Sequence, residues 1–263
     1  MVILTASGAL AEEYKKYFEA EIISFRKLDD AGLIQKVKTA KVIIHNSANI
    51  HSTGYSELFD DNILLTHRLL KTVKSENPSL KFINIGSMSY LKNSSSYQPA
   101  EMMTNYALTK FISELSCLKS GLENITSVRF STLFYSNPLR DGLSKLICEA
   151  ALKKNITLIN YGEARRDFLP LKIAVQYLNK IVNLKSPLRQ TYNIASGKSL
   201  SFADITGHLC ENIPDLTVSN TIVLSSPEVL SEFGTEDIDS LGRIDFSIFR
   251  EIDDALQKRC GGT

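Results

Sequence analysis

The chain has 263 residues, 43% of them hydrophobic and 22% charged, with a net charge of +1. These proportions describe a globular protein with a core of normal size, built as one large domain or as one domain with a smaller appendage. The near-zero charge gives no electrostatic reason to expect nucleic acid or an anionic membrane as partner. In chain order, Val2-Ile3-Leu4 reads as a strand and Leu10 to Phe18 as a helix. A second strand is expected over Glu21 to Phe25 and a helix over Ala31 to Thr39. Lys41 to His45 is a β-branched apolar run suited to a strand buried on both faces. Ser56 to Ser75 carries Leu58, Phe59, Ile63, Leu65, Leu69, Leu70 and Val73 at helical spacing, and Pro78 lies in the connection to a strand at Leu80 to Ile85. A helix over about Tyr106 to Lys119 and a strand over Ile125 to Phe134 follow. The second half offers a strand at Thr157 to Ile159, a helix at Ile173 to Val182 and a strand at Thr191 to Ile194, among irregular segments. Strands alternating with helices predict an α/β fold with a doubly wound parallel sheet.

Targeting and metal signals are absent from this reading. No apolar run approaches the roughly 20 residues that span a bilayer, and the start lacks the basic and long apolar stretches of a signal peptide. Cys117, Cys148, Cys210 and Cys260 are scattered, as are His45, His51, His67 and His208, without metal-ligand spacing. A cytoplasmic protein with no metal site is expected.

Three stretches carry chemistry. The first strand runs into TASGALA, a small-residue turn before a helix, where a backbone cradle for a phosphate can form at a helix N-terminus. In NYALTK, Tyr106 and Lys110 stand four residues apart at the start of a helix, on one face. An ammonium beside a phenol favours the phenolate, which would bring a group that normally titrates near pH 10 toward neutral use. FINIGSMSY ends a strand with Ser87 and Ser89, where a parallel sheet presents groups to a ligand. Standing alone, the Tyr and Lys spacing also suits a plain solvent-facing helix; its position between a serine-bearing strand end and an apolar strand gives it meaning.

In these stretches and several more, the sequence resembles the extended short-chain dehydrogenase/reductases, the NAD-dependent epimerase/dehydratase family that modifies nucleotide-activated sugars. KVIIHNSA is similar to the family's D-V-V-I-H-x-A-A, and Asn62 falls where the family has an asparagine in the next helix. FINIGSMS and NYALTKFISE resemble the segments bearing the catalytic Ser or Thr and the Tyr-Lys pair. SVRFSTLFY is similar to V-x-R-P-x-N-x-Y-G, YGEARRDFLPLKIAVQYL to Y-G-x-G-x-x-x-R-D-F-x-x-V-x-D-x-A, and TYNIASGKSLSFADI to Y-N-x-G-x-G-x-x-x-S. TASGALA stands where the family has T-G-x-x-G-x-x-G, one residue shorter and without the first glycine.

The resemblance implies a Rossmann-type domain over residues 1–135 with a return segment at about 160–195. A smaller mixed substrate-binding lobe is implied over 136–160 and 196–263. The catalytic residues implied are Ser87, Tyr106 and Lys110, with Ser89 as a rival to Ser87. The cofactor would touch Thr5, Ser7, Gly8, Ala9, Leu10, Arg26, Asn46, Ser47, Ala48, Asn62 and Lys110, with Gly8 allowing close approach of the backbone. Ser89 and Arg166 are the substrate candidates, Arg166 for a diphosphate. Asp167 is expected to be structural, paired with a neighbouring arginine, and Arg129 to be either a buried ion-pair member or a ligand contact. The second strand ends in Ser24-Phe25-Arg26-Lys27 without a carboxylate, which favours NADP(H); Asp29 and Asp30 just beyond keep NAD(H) open. Met88 and Ser89 stand where a sugar dehydratase needs an acid and a base, so dehydration is disfavoured. The expected activity is reduction of a nucleotide-activated keto-deoxy sugar in polysaccharide or sugar biosynthesis. The alternatives are an epimerase, or a non-catalytic member that binds a dinucleotide or nucleotide sugar. Ile112, Leu115, Leu118 and Phe111 widen the apolar face of the Tyr-Lys helix, and the resemblance implies a homodimer through it.

Overall fold

The computed structural model describes residues 1–49, 52–94, 96–137, 140–185, 188–224 and 233–260, without the side chains of Arg259 and Cys260. His51 and the thiol of Cys260 therefore lie outside the described residues. The chain runs β1 (Val2–Leu4), α1 (Ala9–Tyr17), β2 (Glu21–Ile22), α2 (Asp30–Thr39), β3 (Val42–His45) and α3 (Tyr55–Phe59), then a π-helical turn (Asp60–Leu64) that leads into α4 (Leu65–Glu76). Next come β4 (Lys81–Ile85), the hairpin of β5 (Leu91–Asn93) and β6 (Ser96–Tyr97), α5 (Asn105–Leu118), β7 (Ile125–Phe130) and β8 (Thr132–Phe134). The remainder is α6 (Gly142–Lys153), β9 (Asn155–Ile159), β10 (Arg165–Pro170), α7 (Leu171–Asn183), β11 (Thr191–Ile194), β12 (Ser199–Ser201), α8 (Phe202–Asn212), β13 (Thr217–Thr221), α9 (Glu236–Ser240) and α10 (Ile248–Cys260).

Two compact units result: Met1–Phe130 with Ala174–Ile194, and Ser131–Ile173 with the chain from Ala195 onward. The division falls after Phe130 instead of residue 135, and the return begins at Ala174 instead of about residue 160. The reason is pairing. β8 and β10 form a parallel pair, Phe168 opposite Thr132 and Pro170 opposite Phe134, so both leave the first unit together.

The first unit holds a six-stranded sheet in the order β11-β7-β4-β3-β1-β2, parallel throughout. This is the doubly wound α/β architecture that the alternating pattern predicts. From β1 the chain adds β2 on one side and then crosses to β3 on the other. The carboxyl ends of β1 and β3 thus flank the point where strand order reverses, the usual ligand crevice of such sheets. All four residues of β3 are buried, as the apolar run requires. The strand expected over Glu21 to Phe25 shrinks to two residues because Phe25 turns inward: its amide donates to the Thr5 carbonyl and its ring joins the core with Ile3, Leu33, Val37, Ile43 and Phe82. The strand expected over Ile125 to Phe134 breaks at Ser131, where it passes between units.

The second unit packs a three-stranded sheet, β12-β10-β8, and the parallel pair β13-β9 with α6, α8 and α10. These helices stand where irregular chain was expected. Leu143, Ile147 and Ala150 make the buried stripe of α6, and Ser201 with Asp204 forms a reciprocal capping box at the start of α8. Among the described residues, no helix is long and apolar enough to cross a membrane.

Candidate active site

The β1 turn is held from β3. Thr5 donates its amide to the Ile44 carbonyl, and the Asn46 side chain then pairs with Ala6 at two points. The Ala6 amide donates to Asn46 Oδ1 (3.1 Å), and Asn46 Nδ2 donates to the Ala6 carbonyl (2.9 Å). Ser47 donates its hydroxyl to the Thr5 carbonyl at 3.0 Å. Ala6 keeps an ordinary negative φ, so this turn does not need the missing glycine there. Gly8 does need to be glycine, with φ 154° and ψ 171°, a conformation that side chains rarely adopt. A Cβ on Gly8 would meet no atom of the protein within 4 Å, so backbone conformation, not crowding within the chain, fixes the residue. Gly8 caps α1, no side chain caps that end, and Ser7, Ala9 and Leu10 surround it on the accessible side. An uncapped helix N-terminus beside an open glycine fits a dinucleotide's diphosphate.

Behind the turn runs a buried chain of neutral groups. The Thr66 hydroxyl donates to the Asn62 carbonyl (2.7 Å), so His45 Nε2 must carry the hydrogen that it shares with Thr66 Oγ1 at 2.8 Å. His45 Nδ1 is then an acceptor for the Thr5 hydroxyl at 3.0 Å. Burial pushes the His45 pKa down to about 3, and the charges of Lys110 and Arg26 act the same way, so the ring stays neutral. Asn62, inside the π-helical turn, accepts from the Asn49 amide (2.8 Å) and donates to Thr109 Oγ1 (3.1 Å), tying the loop beyond Ala48 to α5.

α5 carries the Tyr-Lys pair. Thr104 caps it by accepting from the Ala107 amide. Tyr106 is half-buried one turn before Lys110, which is buried and donates from Nζ to the Ile85 carbonyl at 2.6 Å. Burial lowers the Lys110 pKa to about 8. The lysine is thereby held at the carboxyl end of β4, two residues before Ser87. The Ser87 hydroxyl donates to Ser89 Oγ (2.9 Å) and accepts from the Ser89 amide (3.1 Å), with Ser87 half-buried and Ser89 exposed. Met88 between them is buried.

Sequence reasoning assigned no role to Glu114, one turn beyond Lys110. Its buried carboxylate accepts from Arg129 Nη2 (2.5 Å) and Nε (2.9 Å), from the Ser127 hydroxyl (2.6 Å) and from the Tyr90 hydroxyl (2.6 Å). Arg129, for which two readings were open, is an ion-pair member; it also reaches Tyr97 Oη and Asn193 Oδ1. The Tyr90 hydroxyl accepts the Ser87 amide at 3.3 Å, linking this cluster to the serine. Gly86 must be glycine here, since a Cβ would lie 2.8 Å from the Tyr90 hydroxyl and 2.9 Å from Ser127 Oγ. A charged arginine in the middle of the apolar SVRFS strand was the signal that a buried carboxylate had to exist. Phe111 packs at a tilt against the rings of Tyr97 and Tyr90, with centroids 4.8 and 5.5 Å away, so it serves this hairpin, whereas Leu115 stays exposed.

Of the second-strand candidates, Arg26 is exposed and pairs with Asp61 (3.3 Å), and Lys27 is exposed. Asp29 caps α2 through the Gly32 amide and Asp30 pairs with Arg68 (2.7 Å), so both carboxylates have structural partners. In the second unit, Arg166 lines a cleft of about 830 Å³ with Lys145, Leu146, Leu158 and Phe202. Burial lowers the Arg166 pKa. Asp167 is buried and structural, as expected, but its partners are the amides of Ser196 and Gly197, both at 2.8 Å, and not an arginine. Among the described residues, no group of three or more His, Cys, Asp or Glu could hold a metal ion.

A model described as the NAD dependent epimerase/dehydratase family matches residues 4–195. The chain belongs to that family. The match spans β1 through β11 and so takes in the cradle, the serine strand and the Tyr-Lys helix. No curated protein matches the sequence. Several solved structures share the family's fold along the whole chain. MoeE5 in complex with UDP-glucose and NAD is similar at a TM-score of 0.81 and 15% identity, covering 100% of this chain and 99% of its own. TunA, an NAD dependent NDP-hexosamine 5,6-dehydratase of tunicamycin biosynthesis, gives 0.81 and 16%, covering 100% and 98%. The UDP-glucuronic acid 4-epimerase of Bacillus cereus gives 0.75 and 18%, covering 98% and 91%.

Proposed function

We propose that this family member is a nicotinamide-dependent reductase of a nucleotide-activated keto-deoxy sugar. The observation that carries this reading is the joint placement of Ser87 and Lys110 at the end of β4 with Tyr106 one helical turn away, in the same parallel sheet whose β1 leads into an uncapped helix opening on Gly8. The dinucleotide supplies a hydride when bound. Gly8, Ala9 and Leu10 at the start of α1 would receive its diphosphate, with Thr5, Ser7, Ser47, Ala48 and Asn62 around it. Tyr106 would deliver the proton to the substrate oxygen, and Ser87, with Ser89 as its hydrogen-bonded neighbour, would orient that oxygen. Lys110 would hold the ribose hydroxyls and stabilise the phenolate left on Tyr106. Its pKa of about 8 keeps the required ammonium through neutral pH. Arg166 would take the diphosphate of the sugar nucleotide as a planar fork.

Neither a buried methionine at 88 nor an exposed serine at 89 can exchange protons as a carboxylate does, which speaks against dehydration. NADP(H) is favoured by Arg26 and Lys27. The Arg26–Asp61 pair supports the NAD(H) alternative, because part of that charge is already matched. Epimerisation is the second reading for the reaction, supported by the likeness to an epimerase. A homodimer through α5 is part of the proposal, with Leu115 as its exposed apolar residue.

One experiment separates these readings. Purified protein is mixed either with NADPH or NADH and a panel of 4-keto nucleotide sugars, or with the matching 4-hydroxy nucleotide sugars and the oxidised dinucleotide, and nicotinamide absorbance is followed beside the product sugars. A reductase consumes the reduced dinucleotide in step with product. An epimerase interconverts sugars without net consumption. Tyr106→Phe should lower turnover at least 100-fold while dinucleotide affinity holds; unchanged turnover would remove Tyr106 from the mechanism.

A further inference from the structure

The cofactor cradle is one residue shorter than the family's pattern and lacks its first glycine, yet the turn closes. The means is visible in the backbone accounting. The β1–β3 ladder ends at Leu4 opposite Ile44, with the Thr5 amide still reaching the Ile44 carbonyl. Ala6 has no further strand to pair with. Both of its backbone groups are instead satisfied by one side chain, the carboxamide of Asn46, at 3.1 and 2.9 Å. A carboxamide carries the same donor and acceptor as a peptide unit, so Asn46 extends the ladder by one rung after β3 has ended. With that rung in place Ala6 keeps a negative φ, and the whole reversal falls on Gly8.

We infer that Asn46 is a positioning residue for the cradle and not a direct cofactor ligand: its side chain takes over the shaping role of the missing glycine. Its oxygen and nitrogen are both engaged on Ala6. Ser47 assists from the next position, holding the Thr5 carbonyl through its hydroxyl. This inference rests on the proposed dinucleotide reading, and its test is arranged so that the two can fail separately.

The test uses Asn46→Ala and Asn46→Leu in the full chain, the second retaining side-chain volume without hydrogen bonding. Amide hydrogen exchange of the 1–17 segment is measured without cofactor, and NADH, NADPH and ADP-ribose are titrated. Both variants should exchange faster at the Ala6 amide, which loses its acceptor, while the rest of the sheet is unchanged. Both should bind all three ligands about tenfold more weakly, because one lost two-point pair disturbs a cradle that serves the diphosphate common to them. Weakened binding with unchanged exchange would make Asn46 a direct contact and overturn the inference. So would wild-type affinity in both variants. A wild-type protein that binds none of the three ligands would instead overturn the cofactor reading, and the role of Asn46 toward it as well.

Discussion

Two buried polar clusters lie a few residues apart in the first unit, and they are built on opposite principles. The cluster at Glu114 is ionic: a carboxylate that accepts from four donor groups of an arginine, a serine and a tyrosine. The cluster at His45 is neutral: a ring kept unprotonated by burial, between the hydroxyls of Thr5 and Thr66, with Ser113 donating to Thr66. The ionic cluster fastens α5 to β7 and, through Tyr90, to the amide of Ser87. The neutral one fastens the β1 turn to α4 and α5. Desolvating an ion is tolerable only when every partner is present, whereas a neutral chain loses one modest hydrogen bond at a time. Ser87, proposed to orient the substrate oxygen, is therefore anchored through its amide to the more cooperative of the two.

That contrast can be broken in three ways. Glu114→Ala strands the Arg129 guanidinium in the core and should cost about 3–5 kcal/mol of stability by denaturant unfolding. A loss near 1 kcal/mol would show that the cluster is wetter than its geometry. The neutral cluster should respond to acid instead. The pKa of His45 is depressed in the folded chain, from 6.5 to about 3, so as pH falls through that window the unfolded state takes up a proton that the folded state refuses. Stability supplied by this site then drops by about 1.4 kcal/mol per pH unit below 6.5. His45→Gln should show a shallower slope between pH 6 and 4 than wild type. An equal slope would mean that carboxylates alone set the acid limit. The smallest effect belongs to Tyr90→Phe, which keeps the ring stacks but removes one donor from Glu114 and the acceptor of the Ser87 amide. A loss of about 1.5–3 kcal/mol is expected, the range for one hydrogen bond to a charged group. A loss equal to that of Glu114→Ala would make the tyrosine, not the arginine, the partner that the carboxylate depends on.

Much of this was legible in the residues. The buried run of β3, the spacing of Tyr106 and Lys110, and the serine at the end of β4 follow from local pattern, because periodicity and turn chemistry act over a few residues. The expected strand at Glu21 to Phe25 failed where Phe25 left the strand for the core, a choice made by contacts with Leu33 and Phe82 that no local pattern encodes. The helices α6 and α8 had readable stripes and a capping box, yet the weaker family pattern in that half left them as irregular chain. Asp167 was rightly given a structural role, but with the wrong partner, since backbone amides at Ser196 and Gly197 compete with any arginine for a carboxylate and carry no sequence signature.

The sequence by itself determined the strand-helix alternation, the spacing of Tyr106 and Lys110 on one helical face and the small-residue turn, since each depends on neighbours within one or two turns of chain. Tertiary structure alone decided which groups meet across it: Asn46 with Ala6, Glu114 with Arg129, and the parting of β7 from β8 at Ser131. Those pairings join residues 15 to 40 positions apart, set by which strands lie side by side in the parallel sheet, and no spacing along the chain records that.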